Sequence, residues 1–177
     1  MHQLLLLRHA KSSRDDAALP DRDRPLTARG WHAATTMRTA MRRLGLTPDL
    51  ILVSPSRRTL QTLEALEPWD DTPRTEHVAT LYLGNAGQLL TVLHEVAETV
   101  RSVLLIGHNP GMHDLALELA GEDGRAQSDL ALGRLTEKYP PGALAEFAIA
   151  GPWWQLNAGR GRLVRFLTPR DLKGRSG

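Results

Sequence analysis

The chain contains no cysteine, only three lysines and few aromatic residues. The absence of cysteine excludes disulfide bonds, a catalytic thiolate and cysteine-ligated metals. No apolar run approaches the length of a membrane span. The leucines at Leu4–Leu7 are too few for the core of a signal peptide and are followed at once by Arg8. The sequence therefore predicts a cytoplasmic protein that does not act at a membrane.

Neither sign of charge is in large excess. The 22 basic and 20 acidic residues give a formal net charge of +2. A nucleic-acid-binding protein usually concentrates far more positive charge, so we expect no nucleic-acid partner. The length of 177 residues and the 41% hydrophobic content suit a globular protein with one core. Because repeats and linkers are not evident, we predict a single domain over residues 1–177.

Three short apolar runs each end in polar residues suited to binding an anion. The runs are Leu4–Leu7, Asp49–Val53 and Ser102–Ile106. Continuous apolar runs are typical of buried parallel strands, whose carboxyl ends meet at one edge of a sheet, where ligands bind. The polar residues that follow include Arg8, His9, Arg58 and His108. We therefore expect these four side chains to lie close together.

Two of these strand ends also carry typical helix-start signals. Ser54 precedes Pro55, and Asn109 precedes Pro110. Ser and Asn are favoured N-caps, and Pro is favoured in the first helical position. The free N–H groups and the positive dipole end of a helix start attract phosphate. This pattern predicts helices that begin at Ser54 and Asn109, with Arg58 in the first turn of its helix.

The remaining pattern is that of an α/β protein with a mixed, mostly parallel sheet. Periodicity and stop signals predict helices over Thr27–Leu44, Ser54–Leu66, Ala86–Thr99, Asn109–Gly121 and Ser128–Lys138. A loop is predicted over Glu122–Gln127. Two further strands, Ala143–Ala150 and Arg162–Thr168, form a hairpin-like pair that adds antiparallel strands to the sheet.

Arginine and histidine together suit phosphoryl transfer, which depends mostly on positioning and charge neutralisation. Arg8 and Arg58 can each clamp phosphate oxygens in bidentate fashion. At about 4 Å and an effective dielectric near 20, each unit charge pair contributes about 4 kcal/mol before desolvation. A protonated His108 would add a third positive group. His9 would then be the nucleophile, attacking phosphorus through a neutral ring nitrogen.

These residues resemble the three motifs of the histidine phosphatase superfamily. Arg8-His9-Ala10 is similar to its Arg-His-Gly signature, and Gly107-His108-Asn109-Pro110 to its third motif. Ser54-Pro55 with Arg58, Gln61 and Thr62 is similar to its second motif. The SixA-like phosphohistidine phosphatases are the most similar branch, on the stretches Leu6–Ser13, Asp23–Thr27 and Gly107–Gly111.

The resemblance implies a three-layer α/β/α sandwich that works without a metal or another cofactor. It implies His9 as the phosphoryl acceptor, and Arg8, Arg58 and His108 as phosphate ligands. Asp23 and Arg24, in the loop that follows His9, are expected near the rim of the pocket.

Many members of this superfamily carry a glutamate general acid in an insertion after the second motif, and this chain is short there. Glu67, Glu76 and Tyr82 are possible proton donors, but none stands in a recognisable motif. Phosphohistidine has a labile P–N bond and needs less protonation than an alkoxide leaving group does. The missing acid therefore favours phosphohistidine or another activated phosphate as the substrate. The leading prediction is a metal-independent phosphatase that acts on phosphohistidine in phosphorelay-type proteins.

Other functions stay open at this point. The alternatives are a phosphatase of small phosphorylated metabolites, a phosphosugar mutase and a non-catalytic module that binds phosphoproteins. Trp153 and Trp154 fit either a packed turn or a partner surface. The oligomeric state cannot be predicted from this sequence.

Overall fold

A computed structural model describes residues 1–125 and 129–173, with the backbone alone for residues 123–125. Six strands form one sheet in the order β3-β2-β4-β1-β5-β6. The strands are β1 (His2–Arg8), β2 (Leu50–Val53), β3 (Arg74–His77), β4 (Ser102–Gly107), β5 (Leu144–Ile149) and β6 (Gly161–Leu167). The helices are α1 (Ala28–Arg43), α2 (Arg57–Leu66), α3 (Ala86–His94), α4 (Gly111–Arg125), α5 (Leu130–Glu137) and α6 (Pro169–Lys173).

The four leucines of β1 lie at the centre of three layers. Leu4 and Leu6 belong to a core cluster that includes side chains of α3, α4 and α5. Leu5 and Leu7 belong to a second cluster, with side chains of α1, α2 and α6. Side chains alternate between the two faces of a strand, so a strand covered by helices on both faces must be apolar throughout. The α/β/α sandwich is confirmed.

The direction of pairing also agrees with the sequence. β1 pairs in parallel with β4, and β2 pairs in parallel with both β4 and β3. β5 runs antiparallel to β1, and β6 antiparallel to β5. The carboxyl ends of β1, β2 and β4 therefore meet at one edge. This edge carries Arg8, the Ser54 loop and His108.

Strand β3 was missed by the sequence analysis. Its four residues, Arg-Thr-Glu-His, are all exposed and include no apolar side chain. An edge strand pairs on one side only and contributes little to the core, so it leaves no hydrophobic signal.

Both predicted helix starts beside the site were wrong, by two residues for α2 and by one for α4. The N-cap of α2 is Ser56, whose side chain accepts from Thr59 N, and not Ser54. The first residue of helix α4 is Gly111, whereas the prediction had Asn109 as the N-cap and Pro110 as the first helical residue. Asn109 and Ser54 instead use their side chains to bind Tyr139 and His108. The polar residues at these strand ends thus serve the site and not the helix.

Other boundaries need smaller corrections. Helix α3 ends at His94 and not at Thr99, and Asp129 caps α5. The predicted break at Gly121 is present as a non-helical residue with φ of 69°, but α4 continues beyond it to Arg125. The predicted loop over Glu122–Gln127 is therefore wrong for 122–125. Residues 126–128 lie outside the described part of the chain.

Candidate active site

The four residues predicted from the strand ends lie around one cleft of about 520 Å³. Arg8 ends β1, His9 and His108 follow β1 and β4, and Arg58 lies in the first turn of α2. His9, Arg58 and His108 are buried, and the ring centres of the two histidines are 5.3 Å apart. The topology therefore brings together side chains that are up to 100 positions apart in the sequence.

His9 is held in one orientation by the backbone of the next residue. Its Nδ1 lies 2.7 Å from the carbonyl oxygen of Ala10. A carbonyl oxygen only accepts, so Nδ1 carries the proton and Nε2 keeps a lone pair. Burial lowers the pKa of His9 to about 3, and nearby His108 and Arg58 act in the same direction. The ring is therefore neutral near pH 7, as a nitrogen nucleophile requires.

The backbone around His9 is fixed by groups from distant segments. Ala10 N donates to Thr62 Oγ1, and Gly142 N lies within hydrogen-bond distance of the carbonyl oxygens of both Arg8 and His9. Gly142 has a φ of +78°, a backbone conformation that residues with a side chain rarely adopt. Glycine at this position therefore allows the backbone turn before β5 that brings Gly142 N to the end of β1.

His108 is oriented by two neighbours. Its Nε2 lies 2.7 Å from Ser54 Oγ, and its Nδ1 lies 3.3 Å from Arg58 Nη2. Arginine only donates, so Nδ1 accepts from it and Nε2–H donates to Ser54. Burial and Arg58 lower the pKa of His108 to about 4. The predicted protonated state of His108 therefore requires an anion in the cleft to raise that pKa.

Both arginines have buried nitrogen atoms without a protein partner. Arg8 Nη1 donates to the carbonyl oxygen of Tyr139 at 2.9 Å, while its Nε is buried and unpaired among the described residues. Arg58 is 2% exposed, and its Nε is likewise buried and unpaired. Burial and Arg58 also lower the pKa of Arg8. Two guanidinium groups that line the same cleft, one partly and one fully buried, each with an unsatisfied donor, make a site for an oxyanion.

Asp21 is the residue at this site that the sequence analysis missed. Its Oδ2 accepts from Arg58 Nη2 at 3.0 Å, and its carbonyl oxygen accepts from Arg58 Nη1 at 2.7 Å. Tyr82 O–H donates to the same carboxylate oxygen at 2.5 Å. Tyr82, followed by Arg58, lowers the pKa of Asp21 to about 2. The carboxylate is therefore ionised at neutral pH.

The rim differs in part from the prediction. Arg24 lines the cleft and donates to Asp21, Ser12 and Ser13. Asp23 is not among the lining residues; Asp21, two positions earlier on the same short turn, faces the cleft instead. Leu83 also lines the cleft, with 55% of its surface exposed and a φ of 52°. An apolar residue held in the left-handed region beside a cleft is a feature that sequence periodicity does not reveal.

The three proposed proton donors lie in different places. Glu67 is exposed at the end of α2, and Glu76 forms an ion pair with Arg74 on the edge strand β3. Neither lines the cleft. Tyr82 packs edge-on against His108, with ring centres 5.4 Å apart, and burial followed by Asp21 raises its pKa.

The two neighbouring tryptophans also separate. Trp153 is fully buried, and its Nε1 donates to the carbonyl oxygen of Val100 at 2.9 Å. Trp154 is 61% exposed. Neither lines the cleft. Trp153 is therefore a packing residue, as one of the two interpretations expected.

Comparison with known proteins decides the family. The sequence model of the histidine phosphatase superfamily (branch 1) matches residues 4–79. A protein of Mycobacterium tuberculosis, itself uncharacterised, is 33% identical over 165 residues that cover 93% of this chain and all of the relative. The chain belongs to the histidine phosphatase superfamily.

Solved structures narrow this assignment to the SixA-like branch. A structure from Nakamurella multipartitia assigned as phosphohistidine phosphatase SixA is 28% identical, with a TM-score of 0.82, over 95% of this chain and 96% of that one. The protein histidine phosphatase SixA complexed with tungstate is 25% identical, with a TM-score of 0.76, over 96% of this chain and 99% of that one. This histidine phosphatase is therefore a phosphatase enzyme with the SixA-like fold.

Among the described residues, no group of three or more His, Asp or Glu side chains could hold a metal ion. In the same part of the chain, no helix is both long and apolar enough to cross a membrane.

Proposed function

We propose that this phosphatase removes the phosphoryl group from phosphohistidine in proteins, and that His9 carries the group transiently. The observation that carries the proposal is the contact of His9 Nδ1 with the Ala10 carbonyl oxygen, which leaves Nε2 as the nucleophilic atom. The same contact suits the intermediate, because a ring phosphorylated at Nε2 becomes more positive and its Nδ1–H then donates more strongly.

The proposed reaction has two steps. First, the lone pair of His9 Nε2 forms a bond to phosphorus, and the P–N bond of the substrate breaks. The bonding electrons return to the substrate ring, which leaves as neutral imidazole when its other nitrogen carries a proton. Second, water attacks phosphorus, the bond to His9 Nε2 breaks, and inorganic phosphate is released as the water loses a proton to solvent.

Arg8, Arg58 and His108 are proposed to hold the phosphoryl oxygens during both steps. The guanidinium groups of Arg8 and Arg58 line the cleft, and Nδ1 of His108 can donate once an anion raises its pKa. Groups held in advance in a buried site stabilise charge that develops during the reaction without having to reorganise.

The protonation states of Asp21 and Tyr82 favour an activated phosphate over an alcohol phosphate as the substrate. Asp21, with a pKa of about 2, is ionised at neutral pH, and the pKa of Tyr82 is raised above that of a free tyrosine. Neither group readily gives up a proton at pH 7. An alkoxide leaving group requires such a proton, whereas imidazole does not.

The tungstate complex of SixA adds support. Tungstate is a tetrahedral oxyanion like phosphate, and that relative is described as a protein histidine phosphatase. By analogy, we propose that the cleft between His9 and His108 is where the phosphoryl group of a phosphoprotein binds in this chain.

The test compares three substrates under the same conditions: a phosphohistidine protein, free phosphohistidine and a sugar phosphate. We expect the highest kcat/KM for the protein, inhibition by vanadate and no effect of a chelator. Equal or better turnover of the sugar phosphate would overturn the assignment of the substrate. Formation of a phosphosugar isomer instead of free phosphate would identify a mutase.

A further inference from the structure

A second groove of about 970 Å³ adjoins the catalytic cleft. It lies between α1, α5 and α6 and shares Lys11 and Pro141 with the cleft. A substrate polypeptide that extends from the cleft past Lys11 and Pro141 would enter the groove directly. The mechanism proposed above makes no use of this groove.

The groove concentrates positive charge that the chain as a whole does not have. The net charge of the protein is +2, yet six cationic side chains and two carboxylates line the groove. The carboxylates are Glu137 and Asp171, and Asp171 pairs with Arg134. No ion pair between described residues involves the other cations, which are Lys11, Arg29, Lys138, Arg170 and Lys173.

The charged side chains surround an apolar surface. Pro140, Pro169 and the edge of Phe166 line the groove, and the Arg134 guanidinium lies 5.8 Å from the centre of the Phe166 ring. An apolar floor with a cationic rim complements a polypeptide segment that has both apolar and acidic side chains. Single-stranded nucleic acid typically stacks its bases on several exposed aromatic rings, whereas Phe166 is only 3% exposed and the imidazole of His32 is the one exposed aromatic ring among the lining residues.

We propose that this groove binds an acidic segment that flanks the phosphorylated histidine of the substrate protein. The inference rests on the proposed function, because Lys11 links the groove to the cleft in which the phosphohistidine would lie. The cations would increase the rate of association and select acidic partners, while the chemistry at His9 stays the same for any phosphohistidine.

The probes are two synthetic phosphohistidine peptides of equal length and free phosphohistidine. One peptide carries glutamates beside the phosphohistidine and the other carries lysines. The groove variant is Arg29→Gln/Lys138→Gln/Arg170→Gln, which removes three exposed charges that lie outside the cleft. The matched control is Arg101→Gln/Arg160→Gln/Arg162→Gln, which removes three exposed charges that line neither the groove nor the cleft.

For the acidic peptide, we expect the groove variant to have a kcat/KM about tenfold or more below that of the wild type, chiefly because its KM is higher. The kcat/KM of this variant should also depend less on salt concentration. The control variant and all assays with free phosphohistidine should stay near wild-type values. The wild type should prefer the acidic peptide to the lysine-rich one. An unchanged kcat/KM of the groove variant for the acidic peptide would overturn the docking proposal.

Binding of the unphosphorylated acidic peptide, followed by fluorescence anisotropy, separates docking from catalysis. We expect the groove variant to weaken this binding by about tenfold while the control variant leaves it unchanged. Equal binding by all three proteins would contradict docking even if phosphohistidine is the substrate. Conversely, a wild-type protein that binds the peptide but releases no phosphate from any probe would refute the proposed function alone.

A competition experiment distinguishes the two kinds of partner. Stronger displacement of the bound peptide by single-stranded DNA than by a second acidic peptide would assign the groove to nucleic acid and overturn the proposal.

Discussion

The carboxylate of Asp21 lies 3.0 Å from Nη2 of Arg58, the most deeply buried of the arginines that line the cleft. It places a negative charge beside the guanidinium that would hold the phosphoryl group. The contact therefore has two opposite effects on the binding of an anion. It fixes the orientation of Arg58, and it reduces the positive potential that the anion meets.

We expect Asp21→Asn to tighten the binding of inorganic phosphate by about fivefold. The amide oxygen can still accept from Arg58 Nη2, and the backbone contact to Nη1 is retained. The substitution removes the repulsion between carboxylate and phosphate and also the ion pair with Arg24, which lines the cleft, and both changes favour an anion. Because Asp21 is half exposed, this repulsion is worth roughly 1 kcal/mol. Inhibition constants for phosphate measure the effect.

Asp23→Asn is the matched control for Asp21→Asn, because it removes the same charge two residues away, outside the lining of the cleft. Its phosphate affinity should stay close to that of the wild type. Weaker phosphate binding in Asp21→Asn would mean that the carboxylate serves chiefly to position Arg58.

Ser54→Ala should lower kcat/KM by about tenfold or more. The substitution leaves Nε2–H of the buried His108 without its acceptor, and an unsatisfied buried donor costs about 1–3 kcal/mol. His108 would then lose the orientation that directs Nδ1 towards Arg58. Ser54→Thr, which keeps a hydroxyl, should restore part of the activity in steady-state assays.

Ser56→Ala provides the comparison for Ser54→Ala. Ser56 caps α2 through Thr59 N and makes no contact with His108, so its loss should lower the free energy of unfolding by about 1 kcal/mol and leave kcat/KM nearly unchanged. The Ser54 prediction would be wrong if both variants lost stability and neither lost activity.

Acid should destabilise the folded protein through the two buried histidines. The pKa of His9 is lowered from 6.5 to about 3 and that of His108 to about 4, mainly by burial. Below pH 6.5 the unfolded chain binds protons that the folded chain does not, so the free energy of unfolding falls as pH decreases towards 3. Denaturant unfolding at several pH values measures this loss.

Inorganic phosphate should reduce that loss, because a bound anion raises the pKa of His108 and stabilises the folded state that binds it. A free energy of unfolding that stays constant between pH 6.5 and 4 would contradict the assignment of His9 and His108 as neutral in the folded protein.

The sequence was sufficient to predict which strand ends meet. Apolar runs such as Leu4–Leu7 mark buried strands, and parallel pairing places their carboxyl ends together regardless of separation along the chain. The same reasoning failed for β3, whose polar residues carry no such signal. That residues 1–177 form one domain stays a prediction.

The part of the site that depends on loop geometry could not be predicted. Asp23 and Asp21 have the same side chain and lie on the same turn, and only the path of the loop determines which of them meets Arg58. That path depends on long-range contacts, including the bridge between Ser12 and Leu26 and the bond from Leu26 N to Gln61. Motif spacing contains no information about these contacts.

The central claim is that His9 carries the phosphoryl group, and rapid-quench trapping of the enzyme during turnover tests it most directly. With a radiolabelled phosphohistidine protein as substrate, we expect an acid-labile, alkali-stable label on the peptide that contains His9, and no label in folded His9→Ala. Rapid phosphate release by His9→Ala at the wild-type rate, or a label on another residue, would contradict the account.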